Sequence, residues 1–181
     1  MKISKIHHVA YRSKNSKETV EWYCKYLNMD FQLAFAEDYV PSTKALDPYM
    51  HIFLDAGNGN VPAFFKLPTQ PDMGRDENTP NWVQHIAFEV DSLQDLERAK
   101  ARLEADGIAV VGVTDHTLFK SIYFFDSNGH RLELAVDTST PELNKRAADV
   151  KWEMLEEWSR AKRAPKHAAW MHAAEMEAVK A

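Results

Sequence analysis

The chain has 181 residues, of which 45% are hydrophobic, and a formal net charge of -5 at pH 7. This length suits one domain or two small modules, and the acidic balance offers no basic surface, so we expect no nucleic-acid partner. Because no apolar run reaches membrane-spanning length and residues 1–5 lack a signal-peptide core, we expect a cytoplasmic protein without a membrane partner. The single cysteine, Cys24, excludes an internal disulfide, and we expect a buried structural thiol.

The first part of the chain has the pattern of a strand, a helix and three further strands. Asn15 or Ser16 caps the predicted helix, which runs to about Leu27. The segment 37–49 contains Pro41 and Pro48 and is predicted to be a loop. The predicted strands cover residues 3–12, 31–36, 50–55 and 63–67. We therefore expect a first βαβββ module over residues 1–68 and a proline-containing linker over 69–82.

The second part of the chain repeats this order over residues 83–138. Ser92 caps its predicted helix and Asp106-Gly107 ends it. The strands that follow the helix are predicted at 108–113, 121–125 and 131–136. Residues 139–181 form a helical extension in which apolar residues recur every three or four positions as far as Ala161. These helices, including a shorter one around Trp170, Met171 and Ala174, either pack outside the sheet or clasp another subunit.

Two histidines occupy corresponding places in the two modules. His8 precedes Val9-Ala10-Tyr11, and His85 precedes Ile86-Ala87-Phe88, at the start of the first strand of each module. Glu133 lies between two leucines on the last predicted strand, where an ionised carboxylate without a partner would lose much solvation energy. A divalent metal ion bound by two imidazoles would be such a partner. Two histidines and one carboxylate with open positions are the ligands of non-haem Fe(II) oxygenases.

The repeated βαβββ pattern, the His-Val-Ala and His-Ile-Ala strand starts and the segment SIYFFDSNGHRLEL at 121–134 resemble the vicinal oxygen chelate superfamily. That group includes glyoxalase I, bleomycin- and fosfomycin-resistance proteins, methylmalonyl-CoA epimerase and type I extradiol dioxygenases. The resemblance covers about residues 3–137. It implies an α+β fold of two tandem βαβββ modules whose curved mixed sheets surround a metal cleft, with the helical tail added. It also implies metal ligands at His8, His85 and Glu133.

The resemblance also bears on the activity. Glyoxalase-like members carry a fourth ligand, a Glu on the last strand of the first module, and here that position falls near Phe64, without a carboxylate. The remaining set is similar to that of type I extradiol dioxygenases, which implies Fe(II), O2 and a catechol-like diol as substrate. Tyr123 matches a tyrosine that would hydrogen-bond the substrate. His116 matches an upstream general acid, although a loop histidine is an equal reading.

Other readings use the same fold. A glyoxalase-like lyase or isomerase, or a thiol transferase, would use the same ligands with Mn, Zn, Ni or Co as Lewis acid. A drug-binding resistance protein would need no metal ligands. We further expect a homodimer or a higher homo-oligomer. The aromatic residues that are candidates for a pocket wall, each of them also a candidate for the core, are Phe64, Phe65, Trp82 and Phe119. The remaining histidines, His7, His51, His130, His167 and His172, receive no role, although His51 lies on a central strand near the expected cleft.

Overall fold

The computed structural model describes the chain except for Met1, Arg75 and residues 165–169 and 171–181. The chain divides into two compact units. The first unit comprises Met1–Ile86 and Phe125–Leu132, and the second comprises Ala87–Phe124 and Glu133–Ala181. The part of the chain that the structure describes contains no helix with the length and apolar character needed to cross a membrane.

In the part of the chain that the structure describes, eight strands and three helices follow one another in the order predicted, and each βαβββ set forms its own sheet. The strands of the first sheet lie in the order β1-β4-β3-β2 and those of the second in the order β5-β8-β7-β6. The first sheet is mixed, because β1 pairs with β4 in parallel whereas the other pairs are antiparallel. The elements are β1 (Val9–Arg12), α1 (Ser16–Leu27), β2 (Asp30–Tyr39), β3 (Leu46–Asp55), β4 (Pro62–Lys66), β5 (Ile86–Glu89), α2 (Leu93–Ala105), β6 (Val111–Asp115), β7 (Phe119–Phe125), β8 (Arg131–Asp137) and α3 (Pro141–Ala161). The α+β class with two repeats and a C-terminal helix is confirmed.

The first helix begins and ends where its sequence predicts. The side chain of Asn15 accepts a hydrogen bond from the Glu18 amide, and Asn28 closes the helix in the left-handed conformation at φ 54°. Tyr23 is buried and its ring lies 5.0 Å from that of Phe64 on β4. Burying such a side chain contributes about 1.5–3 kcal/mol, so this contact holds α1 on the sheet. Cys24 is half-buried, less enclosed than expected.

The second helix follows the same rules. The Ser92 hydroxyl accepts a hydrogen bond from the Asp95 amide, and Asp106 ends the helix with Gly107 next to it at φ 78°. Only glycine adopts this backbone conformation without strain, which explains the sharp stop. Leu96 and Leu103 are fully or almost fully buried and form the inward face of the helix.

The segment 37–49 is mostly strand, and the loop is limited to residues 40–45. The prediction of a long loop is wrong because it treated Pro48 as a breaker. Pro48 lies in β3 where the pairing with β2 shifts, between the pairs Glu37 with Tyr49 and Tyr39 with Leu46. A bulge at this place accommodates a residue that has no amide hydrogen to donate. The strand β5 begins at Ile86 and not at Val83, because the Val83 amide is used in a turn with the Pro80 carbonyl.

The tail helix α3 covers the predicted range. The Thr140 hydroxyl accepts a hydrogen bond from the Leu143 amide, Pro141 occupies the first turn, and Lys162 ends the helix at φ 51°. None of its residues is buried, and Trp152, Leu155 and Trp158 are exposed. The predicted shorter helix after Pro165 lies outside the described residues apart from Trp170, whose ring lies 4.0 Å from the Arg146 guanidinium.

Candidate active site

The two histidines predicted as metal ligands occupy equivalent positions one residue before a strand. His8 precedes Val9, which begins β1, and His85 precedes Ile86, which begins β5. The Nδ1 atom of His85 lies 3.0 Å from the Val83 carbonyl oxygen. Because a carbonyl can only accept, Nδ1 carries the proton, and the lone pair of this imidazole is on Nε2. A backbone carbonyl that fixes the tautomer in this way is typical of metal-binding histidines.

His8 lies among other rings of the first unit. Its Nδ1 atom is 2.8 Å from Nδ1 of His7, so one of these nitrogens donates and the other accepts. The ring of His8 is 6.2 Å from that of His51 and 5.7 Å from that of Phe53, measured between centroids. His7, for which the sequence suggested no role, therefore takes part in positioning the His8 ring.

His51 was not predicted as a site residue, yet it is the most enclosed imidazole near His8. It is 5% exposed, and its ring stacks on that of Phe65 at 3.6 Å and lies 4.1 Å from that of Phe53. Burial, followed by the proximity of His8, lowers the pKa of His51 to about 4. Its Nε2 atom is buried and has no hydrogen-bond partner within the described part of the chain. The sequence signal was the alternation of Tyr49, His51 and Phe53 on one face of β3.

The two modules can be aligned through matching hydrogen bonds. The Ser13 amide donates to the Phe65 carbonyl at 2.8 Å in the first module, and the Val90 amide donates to the Ala135 carbonyl at 2.8 Å in the second. These bonds make Ala63 the counterpart of Glu133. The expected position near Phe64 was therefore off by one residue, which in a strand means the opposite face. Ala63 also lacks a carboxylate, so the first module has no counterpart of the Glu133 side chain.

Glu133 lies on β8 and is only 3% exposed. The turn between β7 and β8 sets the register in which these two strands pair. The Asp126 amide donates to the His130 carbonyl at 3.0 Å, as the Ala56 amide donates to the Asn60 carbonyl in the first module. In the first hairpin this bond leads to the pair Phe53 with Ala63. Counting from the turn of the second hairpin in the same way places Tyr123 opposite Glu133, at the distance of a cross-strand pair.

The two residues predicted as catalytic are brought together in the second unit. The Tyr123 hydroxyl oxygen lies 2.9 Å from Nε2 of His116, within hydrogen-bond distance. The ring of His116 stacks on that of Phe119 at 4.7 Å. The turn between β6 and β7 orients His116, because its amide donates to the Phe119 carbonyl and Thr117 takes φ 71°. Ser121, which the sequence did not single out, donates to the same Tyr123 oxygen at 3.1 Å.

A carboxylate lies next to this pair. The hydrogen bond from the Thr117 amide to Asp115 is the main cause that holds the pKa of Asp115 below its usual value, and Lys120 and His116 act in the same direction. Asp115 is therefore ionised at neutral pH. Its negative charge lies beside the His116 imidazole.

His85 also lines a cavity of about 980 Å³ within the first unit, together with Tyr11, Arg12 and His130. His130 is held in its wall, because its Nε2 lies 2.7 Å from the Arg12 carbonyl. The four aromatic residues considered as pocket walls differ in environment. Phe64 is buried core against Tyr23, Phe65 stacks on His51, Phe119 stacks on His116, and Trp82 is exposed.

The predicted ligands are of a suitable chemical kind for a divalent metal. Two imidazoles at equivalent strand starts and a carboxylate on a buried strand are oxygen and nitrogen donors that first-row divalent ions accept. Among the residues that the structure describes, no three or more His, Cys, Asp or Glu side chains are grouped as a metal site. A metal ion at His8, His85 and Glu133 therefore stays a prediction.

Comparison with curated proteins gives one relative of note. The chain is 27% identical over 86 residues to a protein of Bacillus subtilis (strain 168) named "Putative ring-cleaving dioxygenase MhqA". The match covers 48% of this chain. It spans only 27% of the length of that protein.

Solved structures show the same fold. The trypanothione-dependent glyoxalase I of Leishmania major is similar with a TM-score of 0.58 and 19% identity, over 83% of this chain and 98% of that one. The fosfomycin resistance protein FosX of Listeria monocytogenes, solved with Mn(II) and sulfate, has a TM-score of 0.56 and 19% identity. That match covers 80% of this chain and 99% of FosX.

The family comparison covers most of the chain. Residues 5–134 match the family described as the Glyoxalase/Bleomycin resistance protein/Dioxygenase superfamily. This range includes all five predicted site residues and both sheets up to the middle of β8. The repeated βαβββ order and the structural similarities agree with this match. The chain therefore belongs to the glyoxalase/bleomycin resistance protein/dioxygenase superfamily, the vicinal oxygen chelate group.

Proposed function

We propose that this protein is a metal-dependent extradiol-type dioxygenase, which cleaves the ring of a catechol-like diol with O2. The observation that carries the proposal is the hydrogen-bonded pair of His116 and Tyr123, with Tyr123 opposite Glu133 on the next strand. An acid/base pair beside a metal carboxylate is what ring cleavage needs in addition to the metal. The name of the Bacillus subtilis relative supports the same reaction class.

In this proposal His8, His85 and Glu133 hold the metal ion, which we take to be Fe(II), with Mn, Zn, Ni and Co as alternatives. Bound there, such an ion would coordinate the diol oxygens and pass electrons from the ring to O2. Two observations support the fit. The Val83 carbonyl leaves the His85 lone pair on Nε2, and Glu133 is a buried carboxylate, which a cation stabilises.

The protein side chains then handle the protons. The Tyr123 hydroxyl oxygen lies 2.9 Å from Nε2 of His116, and Phe119 keeps that imidazole in place by stacking. His116 donates a proton to the departing oxygen as general acid, and Tyr123 hydrogen-bonds the substrate. The ionised Asp115 lies beside this pair.

The surroundings of His8 suit an aromatic substrate. Phe35, Phe53 and Phe65 surround His51, with ring centroids 5.2, 4.1 and 3.6 Å from it. Faces and edges of such rings bind a planar aromatic ring by stacking. The buried neutral His51 adds one polar nitrogen to this apolar wall, which could accept a hydrogen bond from a diol hydroxyl.

A glyoxalase-like lyase or isomerase, or a thiol transferase, is the second candidate. The same three ligands would serve it with a metal that is not redox-active, and glyoxalase I and FosX share the fold. Because residue 63 is an alanine, the chain lacks the fourth, carboxylate ligand of a four-ligand glyoxalase site. A drug-binding role without metal is the third candidate, and it would leave His8, His85 and Glu133 without a function.

Oxygen consumption tests the proposal. Protein purified without oxygen and loaded with Fe(II) is offered a panel of catechols. We expect O2 uptake with at least one diol, formation of a yellow ring-opened product, and a loss of about 10²-fold or more in His8→Ala and Glu133→Ala. Glu153→Ala, an exposed carboxylate on α3, is the control and should retain full activity. Stoichiometric metal binding without uptake for any diol would favour the lyase, isomerase or transferase.

We also propose that the chain forms a homodimer or a higher homo-oligomer and works in the cytoplasm. The exposed Trp152, Leu155 and Trp158 on α3 support self-association, because large apolar residues clustered on one helix face commonly mark an interface.

A further inference from the structure

The cavity of the first unit has a basic wall. Its volume is about 980 Å³, and Arg12, Lys14 and Arg131 are among the residues that line it. Asp76 is the one acidic residue among the described lining residues, and its carboxylate accepts a hydrogen bond from the Thr79 hydroxyl of the same loop. Cavities of this size hold small organic molecules. The cavity can therefore take such a molecule, and its wall has an excess of positive charge.

Arg12 carries a charge that the protein does not compensate. Its Nη2 atom donates to the Pro71 carbonyl at 2.8 Å, and its Nε atom is enclosed without a hydrogen-bond partner among the described residues. No carboxylate of the described part of the chain forms an ion pair with Arg12. A partly buried guanidinium without an anion costs free energy, and a bound anion offsets that cost. A guanidinium has five N–H donors, so an anion in the cavity can accept from those that Pro71 leaves unused.

The fold does not require an arginine at this place. The matching hydrogen bonds of Ser13 and Val90 make Glu89 the counterpart of Arg12 in the second module. The same strand end is thus built with a negative residue in the second sheet. The hydrogen bond to Pro71 needs an N–H donor but no charge. The positive charge of Arg12 is therefore explained better by a ligand than by the strand or by the linker.

An aromatic surface adjoins these cations. Tyr11 is exposed and lines the cavity, and its ring centroid lies 5.2 Å from that of His130. Nε2 of His130 lies 2.7 Å from the Arg12 carbonyl oxygen, which fixes the imidazole in the wall. Met73 and Val83 add apolar surface to the same cavity. Rings and apolar side chains next to a cation suit a flat apolar ligand with one negative end.

We propose that this cavity is a binding site for an aromatic carboxylate, with the carboxylate at Arg12 and Lys14 and the ring against Tyr11. The two oxygens of a carboxylate match the fork of a guanidinium. The inference concerns the first unit alone and does not depend on the proposed ring cleavage. Because His85 lines the same cavity, two sources can supply the ligand: a diol substrate that carries the acid group itself, or a separate aromatic acid.

Titrations of the metal-free full chain, followed by nitrogen-15 NMR of the backbone amides, test the site. Benzoate is the probe, and benzamide is its neutral counterpart of the same shape. We expect benzoate to shift the amide signals of Gln84 and Gly129, which line the cavity, and benzamide to bind at least about tenfold more weakly because it has no charge. The amide of Gly107, at the end of α2 in the second unit, should not shift.

Variants of the cations separate charge from packing. Arg12→Gln keeps an N–H donor but removes the charge, and we expect it to weaken benzoate binding about tenfold or more. Arg12→Lys should recover part of the affinity, and Lys14→Gln should lower it several-fold. Lys17→Gln, an exposed lysine on α1, is the control and should bind benzoate as the wild type does. A packing defect alone would weaken benzoate and benzamide equally and lower the melting temperature.

The two sources of the acid group are separated with diols on the Fe(II)-loaded protein, kept free of oxygen. Protocatechuate and dihydrocaffeate carry a carboxylate on a short and a longer arm, and catechol carries none. If the substrate supplies the group, Arg12→Gln weakens the binding of at least one acidic diol and leaves catechol unchanged. If a separate acid supplies it, Arg12→Gln weakens benzoate and none of the three diols. A protein that binds no metal leaves the benzoate result intact, so failures of the two proposals are distinguishable.

Three outcomes would overturn the inference. One is benzoate that binds no better than benzamide, because the charge is then not recognised. The second is displacement of benzoate by an equal concentration of inorganic phosphate, because any anion then suffices. The third is benzoate binding that Arg12→Gln leaves unchanged. If Arg12→Gln does not fold, the comparison of the two probes on the wild type and on Lys14→Gln still decides.

Discussion

Tyr23 combines a packing role with a titratable hydroxyl in a buried place. Its hydroxyl donates to Asp126 at 3.0 Å, and Asp126 also accepts from the Asn128 and His130 amides. Burial, and then the charge of Asp126, raises the pKa of Tyr23 well above its usual value. The folded protein therefore keeps this proton more tightly than the unfolded chain does, so the stabilising effect is complete below about pH 10, the unfolded pKa.

Alkaline unfolding tests this linkage. We expect the free energy of unfolding to fall as the pH rises above about 10, because only the unfolded chain then ionises Tyr23 freely. Urea titrations at several alkaline pH values should show a smaller pH dependence in Tyr23→Phe, which should be about 1–3 kcal/mol less stable at neutral pH. Tyr39→Phe, an exposed tyrosine, is the matched control. A wild-type slope retained in Tyr23→Phe would contradict the assignment.

The single residue His51 shows why part of the candidate site could not be predicted from the sequence. His116 and Tyr123 were identified from the resemblance of a local sequence pattern to that of type I extradiol dioxygenases. The state of His51 depends on Phe65, from a strand that is distant in sequence, and on burial that no local pattern reports. Its position on a central strand was the only available sign.

Replacement of His51 should separate stability from activity. We expect metal-free His51→Phe to be about 1 kcal/mol more stable than wild type, because it removes a buried nitrogen that has no partner among the described residues. Ring cleavage should fall sharply, since the polar nitrogen beside His8 is lost. Thermal unfolding and oxygen uptake, measured on the same preparations, give both values. A variant that is less stable and fully active would refute this account.

At the scale of elements, the sequence predicted the order correctly and the strand boundaries less well. The caps at Asn15, Asn28, Ser92 and Asp106 are local signals, and α1 and α2 begin and end at them. The start of β3 was missed because Pro48 is tolerated through a bulge, which depends on pairing with β2. The local propensity of a segment does not reveal which strand it will pair with. The errors in the predicted strand boundaries therefore lie where pairing between strands overrides local propensity.

The close approach of β6 to β7 gives an element-scale prediction. Gly112 has φ 109°, a region that side chains rarely adopt, and a Cβ there would meet the Ser121 carbonyl oxygen. We expect Gly112→Ala to cost about 1–3 kcal/mol of stability from backbone strain, with more from the contact. It should also disturb the Ser121–Tyr123 hydrogen bond. Gly74→Ala, where nothing lies within 4 Å, is the control in thermal unfolding. Equal melting temperatures for the two variants would contradict the predicted strain.

At the scale of the whole molecule, α3 is the part that the duplicated fold does not explain. It has 21 residues, none of them buried, and its exposed side chains include Trp152, Leu155 and Trp158. We propose that a second copy of the same helix covers this surface. In an antiparallel pair related by a two-fold axis between Glu156 and Glu157, Leu155 meets Trp158 of the other copy.

We therefore expect the full chain to sediment as a dimer or a larger assembly, held in part by α3. The double variant Leu155→Glu with Trp158→Glu should shift it towards the monomer, because it puts charge into the apolar centre of the pair. Glu142→Gln, at the far end of α3, should leave the assembly unchanged. A wild-type monomer at all concentrations, or a double variant that still dimerises, would show that α3 does not join two copies.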